Sequence, residues 1–531
     1  MKVAIIGAGS IGFTRGIVKD ILCVPEFRDD TQFAFHDISA QNLNMVYRLC
    51  KRDMEANKVK STISATLNRR QALTGANYIF CVVRVGGLEG FQTDIDIPLK
   101  YGVDQCVGDT LCAGGIMYAQ RTIPAMLDFC RDASEVAAPG CVFISHVNPM
   151  VMNTWACTRY GHGVKTVGLC HGVEGGHWQI TEIIKFLING KGRRQSGSPG
   201  YVDVKREEVD IVCAGINHQT WYIQARYKGE DWCSRLLEGF EAHPAMSQSE
   251  KVRIDMLRRF GYYSTESNGH LSEYVPWYRK RTNEIRKWID LGCWINGETG
   301  GYLRVCTEGR NWFKTDFPNW MKGEPLSYGP ARRGSEHGSY ILESLETRRV
   351  YRGHFNVLNE GCITNLPADC IVEVPGYVDG NGLNIPRVGD LPLGCAAVLN
   401  HSISVQRLAV EAAVHGDDQL LRQAMMMDPL VGAVCDPPEI WQMVDEMLVA
   451  QAKWLPQYGR SIAAARRRLA RGALIKTRTT RGAARIRVKT VAEMARDSQK
   501  ARESSSAADK AAADRARAMR KVKKRGIGSG L

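Results

Sequence analysis

The chain opens with four apolar residues running into a glycine-rich turn, Lys2-Val-Ala-Ile-Ile-Gly7-Ala-Gly9-Ser-Ile-Gly12. No other stretch constrains the fold as tightly, because this spacing suits a strand that turns sharply into a helix. Gly7 permits the tight turn, Gly9 lets the backbone approach a pyrophosphate, and Gly12 lets the helix pack closely on the strand. The helix N-terminus then offers unpaired N–H groups and partial positive charge to phosphates. Asp37 ends the next apolar run, "QFAFHD", where it can accept from a ribose 2′-OH. An acid there favours NAD over NADP, whose 2′-phosphate it would repel. Gly7, Gly9, Gly12 and Asp37 are therefore the candidate cofactor-binding residues, the alternative being a purely structural glycine turn.

Residues 1–168 continue as alternating strands and helices. "NYIFCVV", "CVFISHV" and "KTVGLC" are short runs bounded by turns, and "FTRGIVKDILC" and "AQNLNMVYRLCKRDMEA" have helical apolar spacing. This alternation predicts an α/β fold, a Rossmann-type doubly wound parallel sheet binding NAD. Residues 169–458 mix strand-like runs ("VDIVCAGI", "CIVEVPGYVDG") with helical ones ("SEKVRIDMLRRF", "SISVQRLAVEAAVHG"). They predict an α+β domain for substrate and metal, docked on the sheet. Within it, 292–338 is rich in Gly and Trp with little periodicity and reads as an irregular insertion.

From Gly459 to Leu531 the composition changes to Arg and Ala, with 22 Lys and Arg against 5 Asp and Glu. That net +17 exceeds the whole chain's +14, so the first 458 residues sum to −3. The basic character belongs to the tail, which reads as solvated and disordered. On that reading residues 460–531 are dispensable for activity. A nucleic-acid arm is the alternative, though the tail lacks the interleaved aromatics of a single-strand binder.

A length of 531 residues implies about two to four domains. No apolar run approaches the roughly 18 to 20 residues of a membrane span, and no signal peptide precedes the first strand. The 17 cysteines never form a C-x-x-C pair, which suits reduced thiols in a cytoplasmic enzyme.

Several motifs carry chemistry. Asn148, after the strand "CVFISHV", lies where strand ends meet a nucleotide and can contact nicotinamide or sugar hydroxyls. Cys170 and His171 end another strand, and "AGINH" brings His218 from the second domain. A thiolate and an imidazole can bind a divalent metal with positions left for substrate, or they can be packed core residues. "GDTLCAGGIM" supplies Asp109 and a Gly114-Gly115 turn in a loop between strands. "TESNGHLSEYVPWYRKR" supplies Glu266, His270, Glu273, Tyr274 and Arg279. His270 titrates near neutrality and suits proton transfer, or it is a satisfied structural histidine.

In order along the chain, "IIGAGS", "VGG" at 85–87, "GDTLCAGGIM" with "RTIP", "NPMVMNTWA", "VGLCHG", "AGINH", "TESNGHLSEYVPW", "NLPADCIVEVPGYVDGNG" and "MMMDPL" resemble glycoside hydrolase family 4, the NAD- and manganese-dependent glycosidases. The resemblance spans residues 1 to about 457. It implies a lactate/malate dehydrogenase-like fold and an exception to paired-carboxylate hydrolysis. NAD⁺ takes hydride from C3 of the sugar, the ketone acidifies C2, and a base removes that proton. The metal stabilises the enediolate, the C1 group leaves by elimination, water adds, and hydride returns.

Carried onto this sequence, the resemblance makes Cys170 and His218 ligands of Mn²⁺ or another divalent metal. Asn148 holds sugar hydroxyls, and Asp109 lies in a loop facing the sugar. His171 stands where sugar-phosphate-cleaving members carry an acidic Asp, and His270 aligns with their Tyr base. His171 is thus the acid and His270 the C2 base, with Tyr274 in reserve. An α-galactoside is the favoured substrate, ahead of an α-glucoside or α-galacturonide. The rival class is a small-molecule NAD-dependent dehydrogenase. A homodimer or homotetramer is implied, with no membrane or nucleic-acid partner.

Overall fold

The computed structural model of the chain describes residues 1–291, 297–472, 474–478 and 481–500. Among them the strands are β1 Lys2–Ile6, β2 Gln32–His36, β3 Thr62–Thr66, β4 Tyr78–Cys81, β5 Val142–Ser145, β6 Lys165–Gly168, β7 Val209–Ile216, β8 Gln219–Tyr227, β9 Glu230–Asp231, β10 Tyr263–Ser264, β11 Tyr351–Leu358, β12 Ile371–Asp379 and β13 Gly382–Asn384. All thirteen join one sheet in the order β10-β8-β7-β12-β11-β6-β5-β4-β1-β2-β3, with β9 on β8 and β13 on β12.

The run β3-β2-β1-β4-β5-β6 is parallel throughout. This is the doubly wound Rossmann order expected from the sequence, and ligand crevices in such sheets lie beyond the strands' carboxyl ends. Val3, Ala4, Ile5 and Ile6 are all buried, because helices cover both faces of a parallel sheet and leave no side of a central strand to water. The helix Ala40–Ala56 begins where the Ser39 hydroxyl accepts from the Asn42 amide at 3.3 Å, a capping bond worth about 1 kcal/mol.

Beyond β6 the sheet turns antiparallel. β11 meets β6 at one register pair, Asn356↔Gly168, and β12 meets β7 at another, Glu373↔Gly215. Because Asn356 also faces Glu373 across β11 and β12, one row of residues crosses four strands: Gly168, Asn356, Glu373 and Gly215. Close approach requires both glycines. A Cβ on Gly168 would lie 2.6 Å from Met150 Sδ and Thr154 Oγ1, and one on Gly215 2.8 Å from the Gln219 carbonyl.

Two segments differ from their expected form. The 292–338 region contains a helix, Gly301–Lys322, in which the Phe313 ring meets Phe317 edge-on and Trp320 at a tilt, at helical spacing; Gly309 and Pro318 obscured that period. Residues 292–296 lie outside the described residues. Gly114 and Gly115 do not form a turn but open the helix Cys112–Val136. Side chains there would strike the Gly108 carbonyl at 2.7 Å and the Thr110 backbone at 2.5 Å, so the glycines let the helix press on the loop before it.

From residue 459 the chain forms the helix Gly459–Arg471, anchored by buried Ile462 and Ala465 and by an Arg468–Asp445 pair at 2.7 Å. Residues 501–531 of the basic tail lie outside the described residues. The described residues form two compact units, Met1–Leu303 with Gly323–Ile486, and Arg304–Lys322 with residues 487–500. No described helix is long and apolar enough to cross a membrane.

The "RTIP" arginine is structural. Arg121 binds both Asp94 oxygens, at 2.8 and 2.7 Å, with both side chains fully buried, and Gln451 bonds to Asp94 at 2.7 Å. Asp94→Ala leaves a buried guanidinium without its carboxylate and should cost about 3–5 kcal/mol. The check is the denaturant midpoint at unchanged slope, and a loss below about 1 kcal/mol contradicts the assignment.

Candidate active site

The glycine turn is held by the strand beside it. The Gly7 and Ala8 amides both donate to the His36 carbonyl at 2.9 Å. Gly7 has φ +86°, and a Cβ there would meet Val83 at 2.9 Å. Asp37 accepts from the Gly9 amide and the Ser39 amide, each at 2.8 Å. A side chain on Gly9 would lie 2.8 Å from Asp37 Oδ2 and from Asn42. Gly12 behaves otherwise than expected: a Cβ there would meet nothing within 4 Å, so it faces open space and makes no close helix–strand contact. The helix Ile11–Leu22 has no side-chain cap and no acid in its first turn, leaving its positive end available to an anion.

The row Gly168–Asn356–Glu373–Gly215 positions the second group. Cys170 lies two residues beyond Gly168, and His218 three beyond Gly215 in the short β7–β8 turn. A sulfur, a ring nitrogen and a carboxylate oxygen from Cys170, His218 and Glu266 all lie within 4.8 Å of one another, and so do ligand atoms of Asp109, His218 and His270. His218 is common to both sets. Glu266 Oε2 is 4.0 Å from Cys170 Sγ, and the Gly172 amide donates to that sulfur at 3.4 Å. Gly172 has no room for a side chain, since its Cβ would sit 2.0 Å from Glu266 Oε2.

Hydrogen bonds fix these groups. Thr110 Oγ1 is 2.9 Å from Asp109 Oδ1 and 2.9 Å from His218 Nδ1. With one hydroxyl proton, the consistent pattern is His218 Nδ1–H to Thr110 and Thr110 O–H to Asp109, which leaves His218 Nε2 as the lone-pair nitrogen. Asn148 Nδ2 donates to Asp109 Oδ2 at 2.9 Å, and Arg84 lies 3.8 Å from the same oxygen. Ser267 Oγ is 2.6 Å from His270 Nδ1. Glu273 Oε1 and Oε2 accept from the Cys106, Val107 and Gly108 amides at 2.7, 3.0 and 2.8 Å, pinning the loop that ends in Asp109.

Burial lowers His270 to about 4 against the pull of Glu266, so its imidazole is neutral. Burial raises Glu266, but the imidazoles of His218, His270 and His171, in their protonated forms, outweigh it and bring that carboxyl down to about 2. Burial pushes the Cys170 thiol and the Tyr274 phenol well up. Burial also raises Glu373 to about 8, opposed by the Asn217 amide 3.1 Å away. A thiol, imidazoles and carboxylates converging in this way suit a borderline-soft divalent ion.

The glycine turn, Asn148 and Cys170 follow the carboxyl ends of β1, β5 and β6 in the parallel run, and His218 and Glu266 come to Cys170 from the antiparallel half. The family model described as "Family 4 glycosyl hydrolase" matches residues 2–186, and that of the "Family 4 glycosyl hydrolase C-terminal domain" matches residues 213–431. The chain belongs to glycosyl hydrolase family 4. This family 4 enzyme is 56% identical over 504 residues to an alpha-galactosidase of Rhizobium meliloti (strain 1021), covering 94% of this chain and 98% of the relative. An alignment of that span extends past residue 458. It is 30% identical to an alpha-galactosidase of Bacillus subtilis (strain 168), over 86% of this chain and 99% of that one. Its fold is similar to that of a 6-phospho-beta glucosidase of Thermotoga maritima solved with manganese, NAD⁺ and glucose-6-phosphate, with TM-score 0.67, 21% identity, and 86% and 99% of the two chains covered.

The structure of this family 4 enzyme brings Asp109, Asn148, Cys170, His218 and His270 together. His171 stands at the rim, its side chain 63% exposed and Nδ1 3.5 Å from Glu336. Tyr274 is fully buried beside His270, with ring centroids 6.0 Å apart. Thr110, Arg84 and Glu373 were not singled out in the sequence. Arg84 sits against Phe91, Tyr118 and Tyr302, a setting assembled from distant segments and invisible to local spacing. Glu266 carried a signal, lying two residues past the strand end Ser264 and four before His270.

Glu373 gives a signed pH test. A carboxyl raised from 4.5 to about 8 binds more protons folded than unfolded across that window, so its stabilising contribution is lost as pH rises through it. Glu373→Gln mimics the protonated form, and the difference in unfolding free energy between the two proteins should therefore change from about pH 4.5 to 8. A flat difference curve from pH-dependent denaturation would contradict a neutral Glu373.

Proposed function

We propose that this enzyme hydrolyses α-galactosides using NAD and a divalent metal such as Mn²⁺. The observation that carries the reading is the convergence of Cys170, His218, Glu266, Asp109 and His270 around one imidazole, on a sheet whose first turn is shaped for a dinucleotide. The 56% identity to a relative named alpha-galactosidase, over nearly all of both chains, supports the sugar.

The residues present fit both groups. Gly7, Gly9 and the uncapped helix would hold the NAD pyrophosphate, with Gly12 leaving space beside it. Each Asp37 oxygen already accepts one backbone N–H and keeps capacity for a ribose hydroxyl. Cys170 and His218, the latter through Nε2, would hold the metal, joined by Glu266. Bound there, the two groups supply reversible hydride transfer at C3 and Lewis acidity at the neighbouring sugar oxygens.

The chain's own residues do the rest. Asn148 and Asp109 orient the sugar hydroxyls. Neutral His270, steadied at Nδ1 by Ser267, accepts the C2 proton on Nε2, with Tyr274 as the reserve base. His171, exposed at the rim beside Glu336, protonates the departing group where it meets water. The reading makes the sugar the partner, a homodimer or homotetramer the working unit and the cytoplasm its place. The sixteen described cysteines, all free and mostly buried, support the last of these.

The test is proton NMR of an aryl α-galactoside digest in D₂O with NAD⁺, Mn²⁺ and reductant. Released galactose should carry deuterium at C2. Galactose fully protonated there contradicts exchange at a solvent-accessible base, and no galactose contradicts the sugar. Cys170→Ala and His218→Ala should each lower turnover by about a thousandfold or more, with Mn²⁺ affinity falling in parallel by titration.

A further inference from the structure

The segment Gly482–Arg485, deep in what composition marks as a solvated tail, is packed against the loop that leads to Asp109. The Ala483 amide donates to Asp104 Oδ2 at 2.8 Å. The Ala484 amide donates to Thr299 Oγ1 at 3.3 Å, and Thr299 returns its own amide to the Ala484 carbonyl at 3.2 Å. The Thr299 hydroxyl in turn lies 2.9 Å from both Asp104 oxygens. Arg286 Nε donates to the Ala483 carbonyl at 2.7 Å, while Ala484 is buried with Ile285 and Ile289. Gly482, at φ +82°, has Thr299 Cγ2 2.5 Å from where a Cβ would stand.

Asp104 is therefore a junction. Arg279 binds its carboxylate and its carbonyl and also donates to Ser272 Oγ at 3.3 Å, on the helix Asn268–Tyr274 that carries His270 and Glu273. Both partners of the Asp104–Arg279 pair are 1% exposed. Five residues on lies Asp109, reached through three amides that Glu273 holds. The tail segment, Asp104, Arg279 and the His270 helix form one buried polar network, and such networks act as a unit.

We propose that Gly482–Arg485 is a strap that positions the Asp109 loop, through Thr299 and Asp104, and so sets turnover. Thr299 and Asp104 are positioning residues that touch no substrate. The proposal rests on the functional reading above for the role of Asp109, but the strap's hold on the loop is testable without substrate.

The variants are made in the full-length chain. Thr299→Val keeps the shape and removes the hydroxyl, Thr299→Ser restores it, and Gly482→Val pushes the strap away from its own side. In Thr299→Val and Gly482→Val, kcat on the aryl α-galactoside should fall about ten- to a hundredfold through misplacement of the loop, with KM within about twofold. Thr299→Ser should return kcat to near the parent value. By hydrogen exchange, the Cys106, Val107 and Gly108 amides should open about tenfold faster while those of β1 and β4 stay unchanged. Faster exchange at Ala483 and Ala484 with the 106–108 amides unmoved, or unchanged kcat, would overturn the proposal. A parent protein inactive on the galactoside would count against the functional reading alone, and the exchange result would still decide the strap.

Discussion

The architecture depends on two single-residue meetings between strands, Asn356 with Gly168 and Glu373 with Gly215. The first grafts the antiparallel half onto the parallel Rossmann half at β6, and the second sets the register of β7 within the antiparallel half. A slip of one residue at either would turn the side chains of a whole strand to the opposite face, and Cys170 and His218 would no longer converge. Both meetings use a glycine because adjoining backbone or side-chain atoms occupy the place of a Cβ.

The site concentrates groups that would repel or be costly to bury singly. The Glu266 and Asp109 carboxylates oppose the burial that lowers His270, and the imidazoles around Glu266, in their protonated forms, favour its ionised carboxylate. Glu373 lies deeper in the sheet, and burial drives its carboxyl towards the neutral form. Hydrogen-bonded scaffolding supplies the order. Glu273 gathers three amides of one loop, and Arg279 ties that loop to the helix bearing His270. Loops would otherwise be poor platforms for a multidentate centre, since a preorganised site needs its supporting groups locked as well.

Much of this was legible. The strand–helix alternation of the first 168 residues fixed the sheet's parallel half because burial on both faces leaves a continuous apolar signal. The ordered motifs named the family and collected most of the residues that meet in the crevice. Other features stayed hidden for identifiable reasons. Gly114-Gly115 reads locally as a turn, and only the position of the Gly108–Thr110 loop explains a helix starting there. Thr110 has no distinguishing neighbours in sequence, and its importance comes from standing between Asp109 and a histidine 108 positions away. The Arg/Ala-rich composition after residue 458 gives no hint that Ala483 and Ala484 find partners at Asp104 and Thr299.

By itself, the sequence determined the dinucleotide-type turn, the parallel sheet, the family and the residue types available for chemistry. These are encoded by local periodicity and short spacings, which strand and helix geometry translate directly. Tertiary structure decided which of those residues share one site, the tautomer of His218, the exposure of His171 and the fastening of the Asp109 loop by the chain's far end. Those outcomes depend on through-space distances of a few ångströms between segments hundreds of residues apart. Sheet register and loop anchoring set those distances, and no local pattern carries them.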